Sequence, residues 1–446
     1  MEYIVNTPCG AVRGVRGRMD GVVAYKGIRY ATAERFGYPT EVTAWEGVYD
    51  ATEYGACAYQ PRAFYDEEKM PKKVFYYNEF RRGEVYRYSE DCLFLNVFAP
   101  EGAREKLPVI VYIHGGGFTG GCGHEKHFDT PVWPLKGVIG VTLNYRLGPL
   151  GFAVLPELVA EAGRTGNYGL YDQLTAISWV RHNIEAFGGD PDNITLMGQS
   201  AGAMSVQQHC LSARTRGLFH KAVMCSGGGV SRMMTAASPE KGYPFWQMIM
   251  EKCGATTLEQ LRAVPVETLF QVWQENKKGT MGGGCAPCID GELIVGRAHE
   301  ILERGEQHSI PYMLGTTSHD VIPPLLYSMS KKWCKKQTTP AYLWFFERHL
   351  PGDDHGAWHS SDLWYWFGTL ANGWRPFTER DFALSEEMSE RLCAFARSAD
   401  PNVEGYTEWA TGAKSALILG DAASTLANPS MGKLWVTMLT NEAPGE

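Results

Sequence analysis

Asn193-Ile-Thr-Leu-Met197 runs without a break into Gly198-Gln199-Ser200-Ala201-Gly202, and this junction decides the fold. The stretch before the glycine reads as a strand; continuous apolar runs elsewhere in the chain read as strands buried on both faces, the kind found in a parallel sheet. A serine between two glycines at its end sits on a sharp strand-to-helix turn, where side chains at the flanking positions would collide with neighbouring backbone. Such a turn lifts the hydroxyl out of the sheet, and the N-terminus of the helix that follows favours negative charge developing beside it. Ser200 is therefore a candidate nucleophile. In a chain with 50 glycines the bare pattern can also mark a glycine-rich turn around an idle serine. The strand before it and the helix after it favour the nucleophile.

Working outward, similar apolar runs recur at Val109-Ile-Val-Tyr-Ile113, Gly137–Leu143, Ala222-Val-Met-Cys225, Pro311-Tyr-Met-Leu-Gly315 and Ala416–Leu419. Between them, Leu174, Ile177, Val180, Ile184 and Phe187 recur at spacings of three and four, which predicts a helix over 172–187 stopped by Gly188 and Gly189. Strands alternating with helices predict an α/β fold with a mostly parallel central sheet and helices on both faces. The first residues form short β-rich runs broken by Pro8 and Gly10. They predict a hairpin, a strand near Val22–Tyr25 and hence antiparallel strands at one edge. The stretch from Pro61 to Tyr88 mixes aromatics with charge and shows no period. It is expected to be an ordered loop or short helices. With no repeat and no low-complexity linker, residues 1–446 are expected to form one domain, with helical excursions near 230–310 and 320–400.

The run ending at Ile113 leads into His114-Gly115-Gly116-Gly117-Phe118. Consecutive glycines let backbone approach a ligand closely. Acyl transfer needs backbone N–H groups aimed where a carbonyl oxygen becomes an oxyanion. Gly116 and Gly117, with Ala201 after the nucleophile, are the candidate donors. The competing reading is a flexible turn.

Composition excludes other classes. A net charge of −8 offers no basic footprint, so no nucleic-acid partner is expected. No window holds the ~18 consecutive apolar residues of a membrane span. Met1-Glu-Tyr-Ile-Val-Asn-Thr-Pro8 lacks a basic segment followed by an apolar one. That start and eleven scattered cysteines lead to the expectation of reduced thiols in a cytoplasmic protein. Cys285 and Cys288 make a lone C-x-x-C without a second pair at zinc spacing, so no metal is expected.

Longer stretches carry a resemblance. Ser89-Glu-Asp-Cys-Leu-Phe-Leu-Asn-Val97, Asn144-Tyr-Arg-Leu-Gly-Pro-Leu-Gly-Phe152, Gly166-Asn-Tyr-Gly-Leu-Tyr-Asp-Gln173 and Phe187-Gly-Gly-Asp-Pro-Asp-Asn-Ile-Thr195 follow in order. Together with the two glycine motifs they resemble the type-B carboxylesterase family, the group that includes cholinesterases, bacterial para-nitrobenzyl esterases and the neuroligins. The resemblance is dense over residues 1–228 and recurs in patches to residue 420.

The resemblance implies an α/β-hydrolase fold and a serine, an acid and a histidine in that chain order. Gly315-Thr-Thr-Ser-His-Asp-Val321 matches the family's acid segment and puts Asp320 where the family carries glutamate. The competing role for Asp320 is a helix cap. Gly356-Ala-Trp-His-Ser-Ser-Asp-Leu363 matches the histidine segment and selects His359 over His349 and His355, with Asp362 again replacing a glutamate. Asp320 and His359 stand only 39 residues apart, an interval that is much longer in larger members, so a shortened cap and an open pocket are expected.

The implied activity is hydrolysis of small to medium carboxylic esters, without cofactor, with a small-molecule ester as partner. The oligomeric state stays open. Alternatives are a non-catalytic interaction protein, as in the neuroligins, and an acyltransferase or amidase using the same side chains. Cys57 and Cys92 match a family disulfide pair, against which the cytoplasmic reading favours free thiols. Arg146 and Asp172 match a buried ion pair. Trp364, Trp366 and Trp374 are candidates for lining the acyl pocket, although large aromatics more often serve the core. The aromatic stretch at 61–88 is the candidate rim, which would favour aryl esters.

Overall fold

Pro8 and Gly10 turn the chain between β1 (Tyr3–Thr7) and β2 (Gly10–Arg16), which pair antiparallel as the hairpin expected from sequence. The described residues are 2–71, 73–103, 106–232, 236–279 and 281–440 of a computed structural model. Antiparallel pairing continues through β3 (Val22–Arg29) to β4 (Phe94–Pro100), and from β4 to β6 (Ile139–Leu143), beside β5 (Leu107–Ile113).

From there the sheet is parallel: β6, β5, β7 (Gly189–Gln199), β8 (Lys221–Cys225), β9 (Tyr312–Thr317), β10 (Ala341–Phe346) and β11 (Ala416–Leu419) lie side by side. A last short strand, β12 (Thr425–Ala427), closes the far edge antiparallel. Val48–Asp50 adds a thirteenth strand by pairing with β2. No helix among the described residues is long and apolar enough to cross a membrane.

The period of two along β5 explains why both faces are covered. Val109, Val111 and Ile113 enter one core with Trp179, Val206, Tyr327 and Trp333. Ile110 and Tyr112 point the other way, into a second core with Trp364, Trp366, Leu384 and Met388. Helices Tyr168–Asn183, Ala201–Leu211 and Pro323–Lys336 cover the first face, and Leu363–Phe367 with Glu379–Ser398 the second.

The predicted elements are present with shifted ends. The strand expected from Gly137 begins at Ile139, because Gly137 closes a 3-10 turn at φ 70°. The helix expected over 172–187 begins at Tyr168 and tightens into a 3-10 turn, Ile184–Phe187, before Gly188 at φ 88°. Ala341–Phe346 was not expected as a strand. An unbroken apolar run has no period to separate it from a buried helix, and this one lies in a stretch assigned to helical excursions.

Candidate active site

Ser200 follows the last residue of β7 and precedes helix Ala201–Leu211, with φ 55° and ψ −124°. A non-glycine residue held at positive φ is strained by ~1–3 kcal/mol, and the surroundings must over-determine it. They do so by close backbone approach. A Cβ at Gly202 would lie 2.1 Å from Ile113 O, and one at Gly198 2.4 Å from Gly202 O. The Ser200 N–H donates to Cys225 O at 2.9 Å, tying the turn to β8. Gly116, at φ 109°, has Gly120 O 2.1 Å from its ideal Cβ position, so the glycine loop after β5 folds back on itself in a way no side chain permits.

Asp320 lies three residues beyond β9 and is buried. Its Oδ2 accepts from Thr316 Oγ1 at 2.6 Å, Thr317 Oγ1 at 3.0 Å and the Thr317 N–H at 3.2 Å. Its Oδ1 accepts from the Val321 N–H at 2.8 Å and lies 2.5 Å from His359 Nδ1. No helix is capped by Asp320, since the next one starts at Pro323 with Ile322 as its cap.

The loops that carry Asp320 and His359 are zipped together. The His319 N–H donates to Ala357 O at 3.0 Å, within an isolated parallel bridge between His319 and Trp358. The Asp320 side chain has no exposed surface, whereas that of His359 keeps 17%. Burial alone would raise the Asp320 pKa, but the His359 charge and the donated hydrogen bonds outweigh it and hold the carboxyl well below its usual range. For His359, burial pushes downward and the Asp320 carboxylate pushes upward harder, so its pKa lies above the ordinary histidine value.

Ser200, His359 and Gly115 to Gly117 line one cavity of about 520 Å³. The atom that meets His359 Nε2 is the side-chain amide nitrogen of Gln199, at 3.2 Å, and not the Ser200 hydroxyl. With the Nδ1 proton directed at Asp320, Nε2 is an acceptor and the Gln199 N–H donates to it. Sequence reasoning passed over Gln199. Its signal is its position as the variable residue of G-x-S-x-G, at the strand end beside the candidate nucleophile.

Asp362, three residues past His359, is fully buried. Its Oδ2 accepts from Trp366 Nε1 at 3.2 Å and its Oδ1 has no partner among the described residues. Burial first, and then the Asp320 charge, push its carboxyl up to about 7.

The stretch 61–88 forms 3-10 turns at Pro61–Phe64 and Glu67–Lys69 and a helix at Val74–Phe80. It supplies Tyr65, Met70, Tyr76 and Phe80 to the cavity wall, as expected of a rim. The same wall is salted by a network that sequence reasoning did not foresee: Arg62 meets Glu125 at 2.6 Å, and Arg81 meets Glu67 at 2.8 Å and Glu125 at 3.1 Å. Gln274 and Lys277, in and just after helix Val266–Asn276, also line the cavity.

One expectation is corrected here. Trp364 and Trp366 are buried in the second core and Trp374 is half exposed, donating to Glu79 at 2.9 Å; none of the three lines the cavity. Cys57 and Cys92 are separate free thiols, the alternative favoured over the disulfide implied by resemblance. Cys285 and Cys288 each turn to a backbone carbonyl, of Gly283 and Thr165 respectively. Arg146 and Asp172 do pair, through Nε at 2.9 Å and Nη2 at 2.7 Å, with both side chains buried.

The family model described as "Carboxylesterase family" matches residues 1–337 and 326–419. The para-nitrobenzyl esterase of Bacillus subtilis is 37% identical over 71% of this chain and 62% of its own length. An acetylcholinesterase of Leptinotarsa decemlineata is 30% identical over 73% of this chain and 55% of its own. The chain thus spans under two thirds of these relatives' lengths.

Among solved structures, a thermophilic PNB esterase superposes with a TM-score of 0.83 at 28% identity, covering 97% of this chain and 100% of that one. An esterase from anaerobic Clostridium hathewayi, described as hydrolysing aliphatic aromatic polyesters, gives 0.83 at 25% identity over 99% of this chain and 98% of its own. With this sheet, this strand-to-helix turn and these matches, the chain has the α/β-hydrolase fold and belongs to the carboxylesterase family.

Proposed function

We propose that the protein hydrolyses carboxylic esters through an acyl-enzyme on Ser200. The observation that carries this reading is the 2.5 Å contact of His359 Nδ1 with a buried Asp320 at the wall of the cavity that also holds the strained Ser200. Substrate entry moves the Gln199 amide off His359 Nε2. His359 then takes the Ser200 proton as Ser200 Oγ attacks the ester carbonyl. The N–H groups of Gly116, Gly117 and Ala201 stabilise the oxyanion of the tetrahedral intermediate. His359 gives its proton to the leaving alcohol, then takes one from the water that attacks the acyl carbon and returns it to Ser200 Oγ as the acid leaves. Asp320 keeps His359 in the tautomer that makes Nε2 the base.

The substrates are small to medium esters with an aryl part. A cavity of about 520 Å³ is in the range for small-molecule sites. Tyr65, Tyr76 and Phe80 offer ring faces and edges, and relatives carry para-nitrobenzyl esterase as their name. The cap is short: between Asp320 and His359 the chain spends its length on helix Pro323–Lys336 and strand β10, both packed into the sheet layers. The same reading takes residues 1–446 as one domain, supported by a single sheet whose strands run from Tyr3 to Ala427.

The test is hydrolysis of para-nitrophenyl acetate and butyrate by the wild type and by Ser200→Ala, with fluorophosphonate labelling in parallel. We expect turnover and labelling in the wild type, and a loss of ~10⁴-fold or more in the variant. A wild type that neither turns over these esters nor takes the label at Ser200 would replace the enzyme with a non-catalytic binding protein of the same fold.

A further inference from the structure

We propose that Cys57, Cys122 and His124 form a Zn(II)-binding site beneath the glycine loop. Their Sγ, Sγ and imidazole nitrogen atoms all lie within 4.8 Å of one another. Cys57 Sγ and His124 Nε2 are 3.5 Å apart. Zinc–sulfur and zinc–nitrogen bonds of ~2.3 and ~2.05 Å at a tetrahedral angle put such a pair about 3.6 Å apart, so this edge already has the required length.

The cluster is preorganised from both sides. Gln60 clamps one flank: its Nε2 donates to Ala58 O at 3.1 Å and Gly121 O at 3.0 Å, while its Oε1 accepts from the Gly121 N–H at 3.0 Å. Asn144 clamps the other: its Nδ2 donates to Ala56 O at 3.0 Å and its Oδ1 accepts from the Gly123 N–H at 2.8 Å. Cys57 and Cys122 lie between these clamps. The imidazole is stacked on Tyr54, with ring centroids 4.6 Å apart and planes 9° apart, and the Tyr54 hydroxyl is fixed on Asp129 at 2.5 Å.

Tyr86 stands beside the cluster. Tyr86 enters through the parallel pairing of Cys57–Ala58 with Tyr88–Ser89, and its ring lies 5.5 Å from that of His124. Its hydroxyl is buried with no hydrogen-bond partner among the described residues, within electrostatic reach of both thiols.

Charge selects the ion. Zn(II) with two thiolates and a neutral imidazole makes an electrically neutral centre, which a buried site tolerates, whereas a monovalent soft cation would leave a net negative charge. Binding replaces two S–H bonds by two Zn–S bonds and releases two protons to solvent, with no change of oxidation state. No sequence spacing announced the site, because Cys57 and His124 are 67 residues apart and only the fold joins them.

The experiment strips the reduced full-length protein with a chelator and titrates it with Zn(II) against a chromophoric competitor. The same is done for Cys57→Ser, Cys122→Ser, His124→Gln and a Cys285→Ser/Cys288→Ser control. Wild type and control should bind one equivalent, and each of the three ligand variants should lose at least ~100-fold in affinity, beyond what outer-sphere changes cost. Cobalt(II) in the wild type should show thiolate charge-transfer bands and tetrahedral d–d intensity, and zinc-edge absorption should count two sulfurs. These wild-type spectra decide the matter if a variant does not fold. Absence of tight binding, binding that survives all three ligand substitutions, loss in the control alone, or a sulfur-free edge spectrum each overturns the proposal.

Discussion

His359 and Asp320 set the first expectations. In its proposed role as base, His359 works only when neutral, and its pKa is raised by the Asp320 carboxylate. The acid limb of kcat/KM should therefore have its midpoint above the ordinary histidine value of about 6.5. Asp320→Asn should move that limb to lower pH and cut kcat by ~10⁴-fold, measured on para-nitrophenyl butyrate across pH. Asp362 has the opposite character. Its folded pKa of about 7 lies above that of an unfolded carboxyl, so the folded chain holds a proton that the unfolded chain has already lost. Such a group stabilises below the unfolded pKa and loses that contribution as pH rises through about 7. Asp362→Asn should remove a decline of ~3 kcal/mol between pH 4 and 7, read by urea denaturation at a series of pH values. The candidate nucleophile was legible because G-x-S-x-G is a local pattern, although only Gly198 is demanded by the turn itself and Gly202 by the end of β5. Gln199 was not, because its partner on the far loop is brought to it only by the sheet.

At the scale of elements, the parallel strands were legible as apolar runs, since a strand covered on both faces has no polar side to show. That same lack of period hid β10, and it left strand ends to turns whose geometry the residues do not announce. The helix Tyr168–Asn183 is fastened to the loop after β6 by the Arg146–Asp172 pair. Arg146 also donates to Gly37 O at 2.8 Å and Glu34 O at 3.2 Å, so one guanidinium joins three segments. Removing only the carboxylate leaves that cation buried without its counter-charge. Asp172→Ala should cost ~3–5 kcal/mol in chemical denaturation, while conservative exchange of distant surface ion pairs such as Arg16–Asp20 should cost under ~1 kcal/mol.

For the whole molecule, the sheet divides the interior into two cores, and every candidate site residue lies at the carboxyl ends of the parallel strands or in the loops that leave them, where ligands bind in open α/β sheets. The class of fold was legible at this scale, while the rim at 61–88 was only partly so, because its side chains were assigned to the cavity without the ion-pair network that holds them. The serine and the glycine loop rest on strands at the centre of the sheet. Asp320 and His359 instead hang from two loops joined to each other by the His319–Trp358 bridge. That bridge is a single isolated pairing outside the sheet, although Trp358 itself is buried in the second core. It behaves as a fuse. On heating, the charge relay should disconnect while the sheet is still intact, so esterase activity should vanish at a lower temperature than the far-ultraviolet dichroism and return on cooling, with the His319 amide exchanging with solvent ahead of those of β9.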